Sequence, residues 1–480
     1  MNAPLRRVAI SVLVLFTLLI LNANYIQVVR SDELRNNRAN TRVLAEEYSR
    51  QRGSIVVAGN EIAQSVHTGD QLKYLRKYPQ ASLYAAVTGY YSLVYGNTGL
   101  ERAENGVLAG SDPRLFVRHL ADLFTGRDPA GGDVVLTLDP AVQKAAMDGL
   151  QGVTGAVVAL DPSTGKVLGL ASSPSYDPNL LSSHNPAAIR ANASKLAAAQ
   201  PDPRLNQAIT ERYSPGSVFK VLVSAAALST GKYNPQTMIA APQRLQLPNS
   251  SKQLENFNGE VCSPSGSQTL IQALTMSCNT AFAKLGMDLG EDKIRKMAEA
   301  FGIDDKGFDM PLHVNPSTIG NIDGAAQLAT SSIGQQDVQL TPMEGAMIAA
   351  AVANQGTLMK PYLVDSIQAP DLTVVDKTKP EELSRPISSS VAGQLTQMMT
   401  SVVDHGTGRK ARIPGVQVAG KTGTAQNAAT DHAWFIGFAP ADHPKIAVAV
   451  FIKNGGATGG DLSAPIAHQV MQAYLAGHGG

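Results

Sequence analysis

The chain has 480 residues, a hydrophobic content of 44% and a formal net charge of +1. That is enough for two or three domains with a sizeable core, and the near-neutral balance argues against a polyanion partner. No dense Lys/Arg run with interleaved aromatics points to nucleic acid, and no His pair at i, i+4 with a Glu points to a zinc protease, so no nucleic-acid partner, catalytic metal or cofactor is expected.

The amino terminus differs from the rest. Arg6 and Arg7 precede Val8 to Leu21, which is apolar except for Ser11 and Thr17, and the uncharged stretch runs on to Val29. As a helix it would reach roughly 33 Å, enough to span a hydrocarbon core. A cleaved signal peptide would need a small-x-small site, which Asn22-Ala23-Asn24 fits poorly. The expectation is therefore an uncleaved, single-pass plasma-membrane anchor over residues 1–30. The paired arginines should stay in the cytoplasm and place the rest outside. Outside the membrane the two cysteines, Cys262 and Cys278, allow one disulfide, which would stabilise the fold by about 3 kcal/mol in the chain-entropy model. The alternative is two buried free thiols.

Residues 31–130 are mixed and polar, and Asn37 to Gln51 lacks a strong period. Ser54-Ile55-Val56-Val57 predicts a strand with Ala58-Gly59-Asn60-Glu61 as its turn. Gly126-Arg127-Asp128-Pro129-Ala130-Gly131-Gly132 is the best candidate domain boundary. Beyond it, Val134 to Leu138 predicts a strand, and Asp139-Pro140 an N-cap and first helical position for Ala141 to Leu150. Ala156–Leu160 and Val167–Leu170 predict a hairpin turned by Asp161-Pro162-Ser163-Thr164-Gly165. Residues 175–215 are Pro/Asn/Ser-rich and read as loop with short helices.

Next comes Tyr213-Ser214-Pro215-Gly216-Ser217, a turn feeding an apolar run that reads as a buried helix opening at Ser217 and stopped near Ser229 by Thr230-Gly231. Residues 268–350 read largely helical, with Thr341-Pro342 opening an Ala-rich helix that Asn354-Gln355-Gly356 ends. Val416–Lys421, Trp434–Phe438 and Ile446–Ile452 are strand signals, and Ala464–Leu475 a last amphipathic helix. Strands at both ends of residues 131–480 with helices between predict an α+β domain, one antiparallel sheet covered by helices.

Ser217 and Lys220 lie three apart on one helix face, so their side chains are adjacent. Ser-x-x-Lys also occurs at Ser163/Lys166 and Ser229/Lys232, but there an intervening glycine signals turn conformation. A reacting serine needs a base, a proton route and oxyanion donors. Ser277-Cys278-Asn279 offers a hydroxyl and an amide on an irregular turn between helices, with Ser183-His184-Asn185 as a decoy. Lys421-Thr422-Gly423-Thr424 ends a strand, where Gly423 lets a substrate backbone approach closely. Ser-x-x-Lys, Ser-x-Asn and Lys-Thr-Gly in this order form the constellation of serine β-lactamases and penicillin-binding proteins. Trp434, His405 and His432 read as packing or surface residues.

With these motifs, the sequence resembles a class B penicillin-binding protein of the short type. Pro215-Gly216-Ser217, Gln339-Leu340-Thr341-Pro342, Asp404-His405-Gly406-Thr407-Gly408 and His432 to Pro440 are similar to that family. Arg52-Gly53-Ser54-Ile55 and Tyr95-Gly96-Asn97-Thr98-Gly99-Leu100-Glu101 resemble motifs of its pedestal, although Val57-Ala58 departs from the Asp-Arg usual there. The resemblance implies a membrane helix, a non-catalytic pedestal or dimerisation-like domain over 31–130, and a penicillin-binding transpeptidase domain over 131–480. It implies a peptidoglycan D,D-transpeptidase acting on stem peptides and acylated by β-lactams, with a membrane-embedded glycan polymerase or division proteins as conceivable partners. Ser217 would be the nucleophile, Lys220 its base, Ser277 a proton relay, and Lys421 the cation that lowers the Lys220 pKa. Asn279 would bind the substrate amide, Thr422 and Thr424 the terminal carboxylate, and the Ser217 and Thr424 N–H groups the oxyanion. A β-lactamase, a D,D-carboxypeptidase and a non-catalytic β-lactam sensor or scaffold are the rival readings.

Overall fold

The computed structural model describes residues 2–30, 34, 48–115, 130–304, 306–427 and 429–479. Most of the irregular stretch expected from Asn37, and the Gly126–Pro129 half of the expected boundary, lie outside the described residues. Helix α1 (Asn2–Asn24) continues to Val29. Among the described residues, Ala3–Val29 is the one helix long and apolar enough to cross a membrane, and none of it is buried against the protein. Its 27 residues reach about 40 Å, long enough to serve as a single membrane anchor.

A short hairpin follows, β1 (Ile55–Val57) and β2 (Asn60–His67), and then β3 (Tyr74–Lys77). Ala58 and Gly59 turn the hairpin with φ of 46° and 78°, the positive pair that matches strand twist in a two-residue turn. The Ala58 that departs from the family pattern thus sits in a left-handed position. Arg52, Arg76 and Glu101 form a buried ion triad, with Arg52 Nε 2.7 Å and Arg76 Nε 2.6 Å from the Glu101 carboxylate. Tyr78 Oη donates to the same carboxylate at 3.1 Å. Burial pushes the Glu101 carboxyl up, and the two guanidiniums more than offset it, holding it below the usual range. The two segments that resemble pedestal motifs therefore meet at one charge cluster.

β4 (Asp133–Leu136) then pairs parallel with β1. Asp139 caps α2 (Pro140–Gly149), accepting from the Ala141 and Val142 amides, with Pro140 at the first helical position. β5 (Gly155–Leu160) and β6 (Val167–Ser173) form the expected hairpin. Residues 175–215 hold more structure than expected: Pro186–Ala198 is a 13-residue helix capped by Asn185, whose Pro-Asn-Ser surroundings masked it. There follow α3 (Lys220–Ser229), α4 (Leu270–Thr275), α5 (Asn279–Leu289) and α6 (Pro342–Ala353). β7 (Val364–Gln368) and β8 (Val374–Lys377) precede α7 (Ser389–Asp404). β9 (Ala419–Ala425), β10 (His432–Ala439), β11 (Ile446–Ile452) and α8 (Ser463–Gly477) close the chain.

The described strands build two larger sheets. One has the order β9-β10-β11-β5-β6 and is antiparallel throughout, assembled from both ends of the chain as expected. Its strands β10 and β11 are buried along their whole length, because helices cover both faces. α6 packs on one side of β11 and α8 on the other. The second sheet, β8-β7-β4-β1-β2-β3, runs across the expected boundary at 131: β4 lies between β1 and β7, which comes from far down the chain.

One side chain inside α6 has a consequence for stability. Thr341 caps the helix and Glu344, 3% exposed, accepts hydrogen bonds from Thr341 Oγ1 at 2.9 Å, from the Ser317 amide at 3.3 Å and from the Ser317 hydroxyl. Burial pushes its carboxyl up to about 8. A folded-state value above the unfolded one means that stability is fully present below the ordinary carboxylate range and is lost as pH rises through about 8. Glu344→Gln should remove that loss. Denaturant unfolding should find the two proteins close at pH 5 and the variant more stable, on the order of 3 kcal/mol, at pH 9.

Candidate active site

Ser217 stands on a 3₁₀ turn, Gly216–Phe219, and the α-helix begins only at Lys220, three residues later than the sequence suggests. In a 3₁₀ turn residues i and i+3 eclipse, so the Ser217–Lys220 adjacency survives the correction. Tight packing explains the turn. Gly216 has φ +54° and a Cβ there would lie 2.5 Å from the Thr424 carbonyl oxygen; one on Gly423 would lie 2.5 Å from the Pro215 carbonyl oxygen. The turn and β9 are thus in backbone contact, and the open face of Gly423 is filled by the Ser217 turn. Trp434 on β10, fully buried as expected, donates its indole N–H to the Ser214 carbonyl at 3.0 Å. Gly216 N–H donates to the Gly334 carbonyl at 2.9 Å. Neither clamp had a signal in the sequence beyond composition.

β9 also differs from expectation. It starts at Ala419 and ends at Ala425, so Lys421-Thr422-Gly423-Thr424 lies within the strand rather than at its end. The pairs Thr422–Phe435 and Thr424–Ala433 extend the ladder past the lysine, while Val416 is taken up in a bridge to Ile413.

Ser277 lies between α4 and α5 with φ +60°, a left-handed conformation that costs a non-glycine residue roughly 1–3 kcal/mol. Its surroundings over-determine it. Ser277 N–H donates to Leu274 O at 3.1 Å and Cys278 N–H to Ala273 O at 2.9 Å. Cys278 is joined to Cys262 by a disulfide, so the residue between the hydroxyl and the amide is covalently tied to the 256–266 loop.

The two lysines are fully buried and converge on this turn. Lys220 Nζ donates to the Ser277 carbonyl at 2.6 Å and to Asn279 Oδ1 at 2.7 Å, and lies 3.4 Å from Ser277 Oγ. Lys421 Nζ donates to Ser277 Oγ at 2.8 Å and to the Thr422 carbonyl at 2.8 Å. Burial first, then the Lys421 charge, push the Lys220 amine well below the ordinary lysine value. Burial pushes Lys421 down to about 7. A neutral Lys220 satisfies its two short contacts with two N–H groups and keeps one lone pair for a proton. Ser217 Oγ, half-exposed, makes no hydrogen bond among the described residues.

The rival motifs occupy ordinary positions. Ser163 is exposed in the β5–β6 turn and bonds Asp161, while Lys166 pairs with Asp365. Ser229 and Lys232 are exposed at the end of α3. His184 pairs with Asp70, and Asn185 caps a helix. Buried His432 packs on Tyr213 and Phe451; burial, then Lys453, lowers it to about 4, so it is neutral and accepts from the Asn454 amide.

An edge strand facing a serine-bearing turn, with lysine in the place where other hydrolases use histidine, defines the class of active-serine acyltransferases with a lysine base. The chain belongs to the penicillin-binding protein transpeptidase family: the model described as "Penicillin binding protein transpeptidase domain" matches residues 155–472. A second, "Penicillin binding protein A dimerisation domain", matches residues 52–134. The chain is 50% identical to the peptidoglycan D,D-transpeptidase PbpA of Mycolicibacterium smegmatis, over 99% of either chain. It is 49% identical to the Mycobacterium tuberculosis PbpA, over 99% of this chain and all of that one. The structure is similar to the imipenem acyl-enzyme complex of M. tuberculosis penicillin-binding protein A, with TM-score 0.87, 48% identity, and coverage of 90% of this chain and all of that one.

Proposed function

We propose that the protein is a membrane-anchored peptidoglycan D,D-transpeptidase that works through a Ser217 acyl-enzyme. The observation that carries the reading is the convergence of Lys220, Ser277 and Lys421, with Ser277 Oγ 3.4 Å from one amine and 2.8 Å from the other. Ser217 Oγ attacks the carbonyl of the penultimate D-Ala of a donor stem peptide, and its proton passes to the neutral Lys220 amine. The N–H groups of Ser217 and Thr424 take the oxyanion charge. The proton returns through the Ser277 hydroxyl to the departing nitrogen, the C–N bond breaks and D-Ala leaves. The amine of a second strand then attacks the ester, forms the cross-link and frees Ser217. Asn279 holds the substrate amide, and Thr422 and Thr424 with Lys421 hold the terminal carboxylate. In a β-lactam the broken C–N bond lies in a ring, so the leaving group stays tethered and blocks the acceptor. No cofactor enters these steps.

Arg6 and Arg7 precede the membrane helix, which under the positive-inside rule puts the amino terminus in the cytoplasm and the catalytic part outside. Residues 131–480 form the transpeptidase domain and 31–130 a pedestal, whose sheet borrows β4, β7 and β8. A membrane-embedded glycan polymerase or division proteins, sharing the membrane with the anchor, are the proposed partners.

The test is to give the full-length protein in detergent a synthetic stem peptide ending in D-Ala-D-Ala, with and without an amine acceptor. Release of D-Ala with formation of the cross-linked amide is expected. Hydrolysis alone, with acceptor present, would make it a carboxypeptidase; no D-Ala release would make it a non-catalytic binder.

A further inference from the structure

Thr407 follows α7 in a turn that touches both halves of the site, and the mechanism above leaves it unused. Its N–H points to the Thr275 carbonyl at 3.4 Å, two residues before Ser277. Gly406 lies against the same carbonyl, where any Cβ would clash, and Gly460 lies in the same way against the Thr407 carbonyl. The Thr407 side chain, on an exposed residue, lies with its hydroxyl 2.5 Å from Thr422 Oγ1 on β9, where Thr422 is only 5% exposed. Lys421 Nζ donates to the Thr422 carbonyl on the other side.

A hydroxyl has one proton and two lone pairs. If Thr422 spent its proton on Thr407, it would have none for a substrate carboxylate. If Thr407 donates, Thr422 accepts from it and keeps its own proton free, and the bond polarises Thr422 as a donor. A negative ligand beside Thr422 favours the second arrangement, because it puts both O–H dipoles in line toward the charge.

Resting on the transpeptidase reading, we propose that Thr407 is a positioning residue for recognition of the donor's terminal carboxylate: it orients the Thr422 hydroxyl toward that anion. Thr407 needs no substrate contact to do so. A substrate of the same shape without the negative charge should not sense it.

The experiment measures second-order acylation rates of the full-length protein with penicillin G and with its uncharged methyl ester, for wild type, Thr407→Val and Thr407→Ser. Thr407→Val should acylate about 10-fold more slowly with penicillin G, the upper end of what the loss of one hydrogen bond between neutral groups costs. Its rate with the ester should stay within about twofold of wild type, and Thr407→Ser should match wild type with both. Equal losses with acid and ester would show that Thr407 only shapes the loop, and an unchanged penicillin G rate in Thr407→Val would remove the role altogether; either overturns the proposal. Should Thr407→Val fail to fold, Thr407→Ala makes the same comparison. A wild type that penicillin G does not acylate would refute the transpeptidase reading instead.

Discussion

Ser217→Ala is expected to abolish acyl-enzyme formation and to lower transpeptidation by at least about 10⁴-fold, with the fold intact. The tolerance comes from the half-exposed Ser217 side chain, which holds no hydrogen bond among the described residues, so its removal leaves no buried partner behind. The loss comes from the absence of a substitute. Ser277 Oγ is bonded to Lys421 on a turn fixed by a disulfide, and Ser163 and Ser229 are exposed, one in the β5–β6 turn and the other at the end of α3. Labelling with a fluorescent penicillin, beside a thermal melt of both proteins, checks this; a label of wild-type intensity on the variant would contradict it.

Lys220→Met should slow acylation by penicillin about 10³-fold, the usual reach of a general base. Some of that loss is geometric, since Ser277 O and Asn279 Oδ1 lose their donors at 2.6 and 2.7 Å. Lys220→Arg separates the two effects: a guanidinium donates but stays protonated at any working pH, so it cannot accept the serine proton. It should be as slow as Lys220→Met. In the wild type only neutral Lys220 is competent, so the acylation rate should rise with pH and level off well below the ordinary lysine range, where burial and Lys421 have pushed its pKa. Lys421→Met removes the neighbouring charge and should move that rise to higher pH. A pH profile of the acylation rate measures all of this. An Arg variant near wild-type rate would mean that Lys220 only positions the turn.

Much of the fold was legible because its ends carry local chemistry. Asp139-Pro140 and Thr341-Pro342 mark helix starts through capping and a fixed proline φ, and Asp161 to Gly165 marks a hairpin through its turn residues. The sheet crossing the domain boundary was not legible. β7 carries Asp365 and Ser366, poor strand formers, and its pairing with β4 depends on tertiary position. The site divides in the same way. Motif order and helix context picked Ser217, Lys220, Ser277 and Lys421 out of several decoys, and the structure brings Lys220, Ser277 and Lys421 into hydrogen-bond contact. The indole of Trp434 on Ser214 and the Thr407–Thr422 contact had no local signature, because each is imposed by a neighbour further along the chain.

The central claim is that one serine among several candidates forms the covalent intermediate. Its most direct test is to treat the full-length protein with penicillin G, digest it and locate the adduct by mass spectrometry. The account predicts one intact penicillin added, on the peptide that carries Ser217. An adduct on Ser163, Ser229 or Ser277, or none, would contradict it.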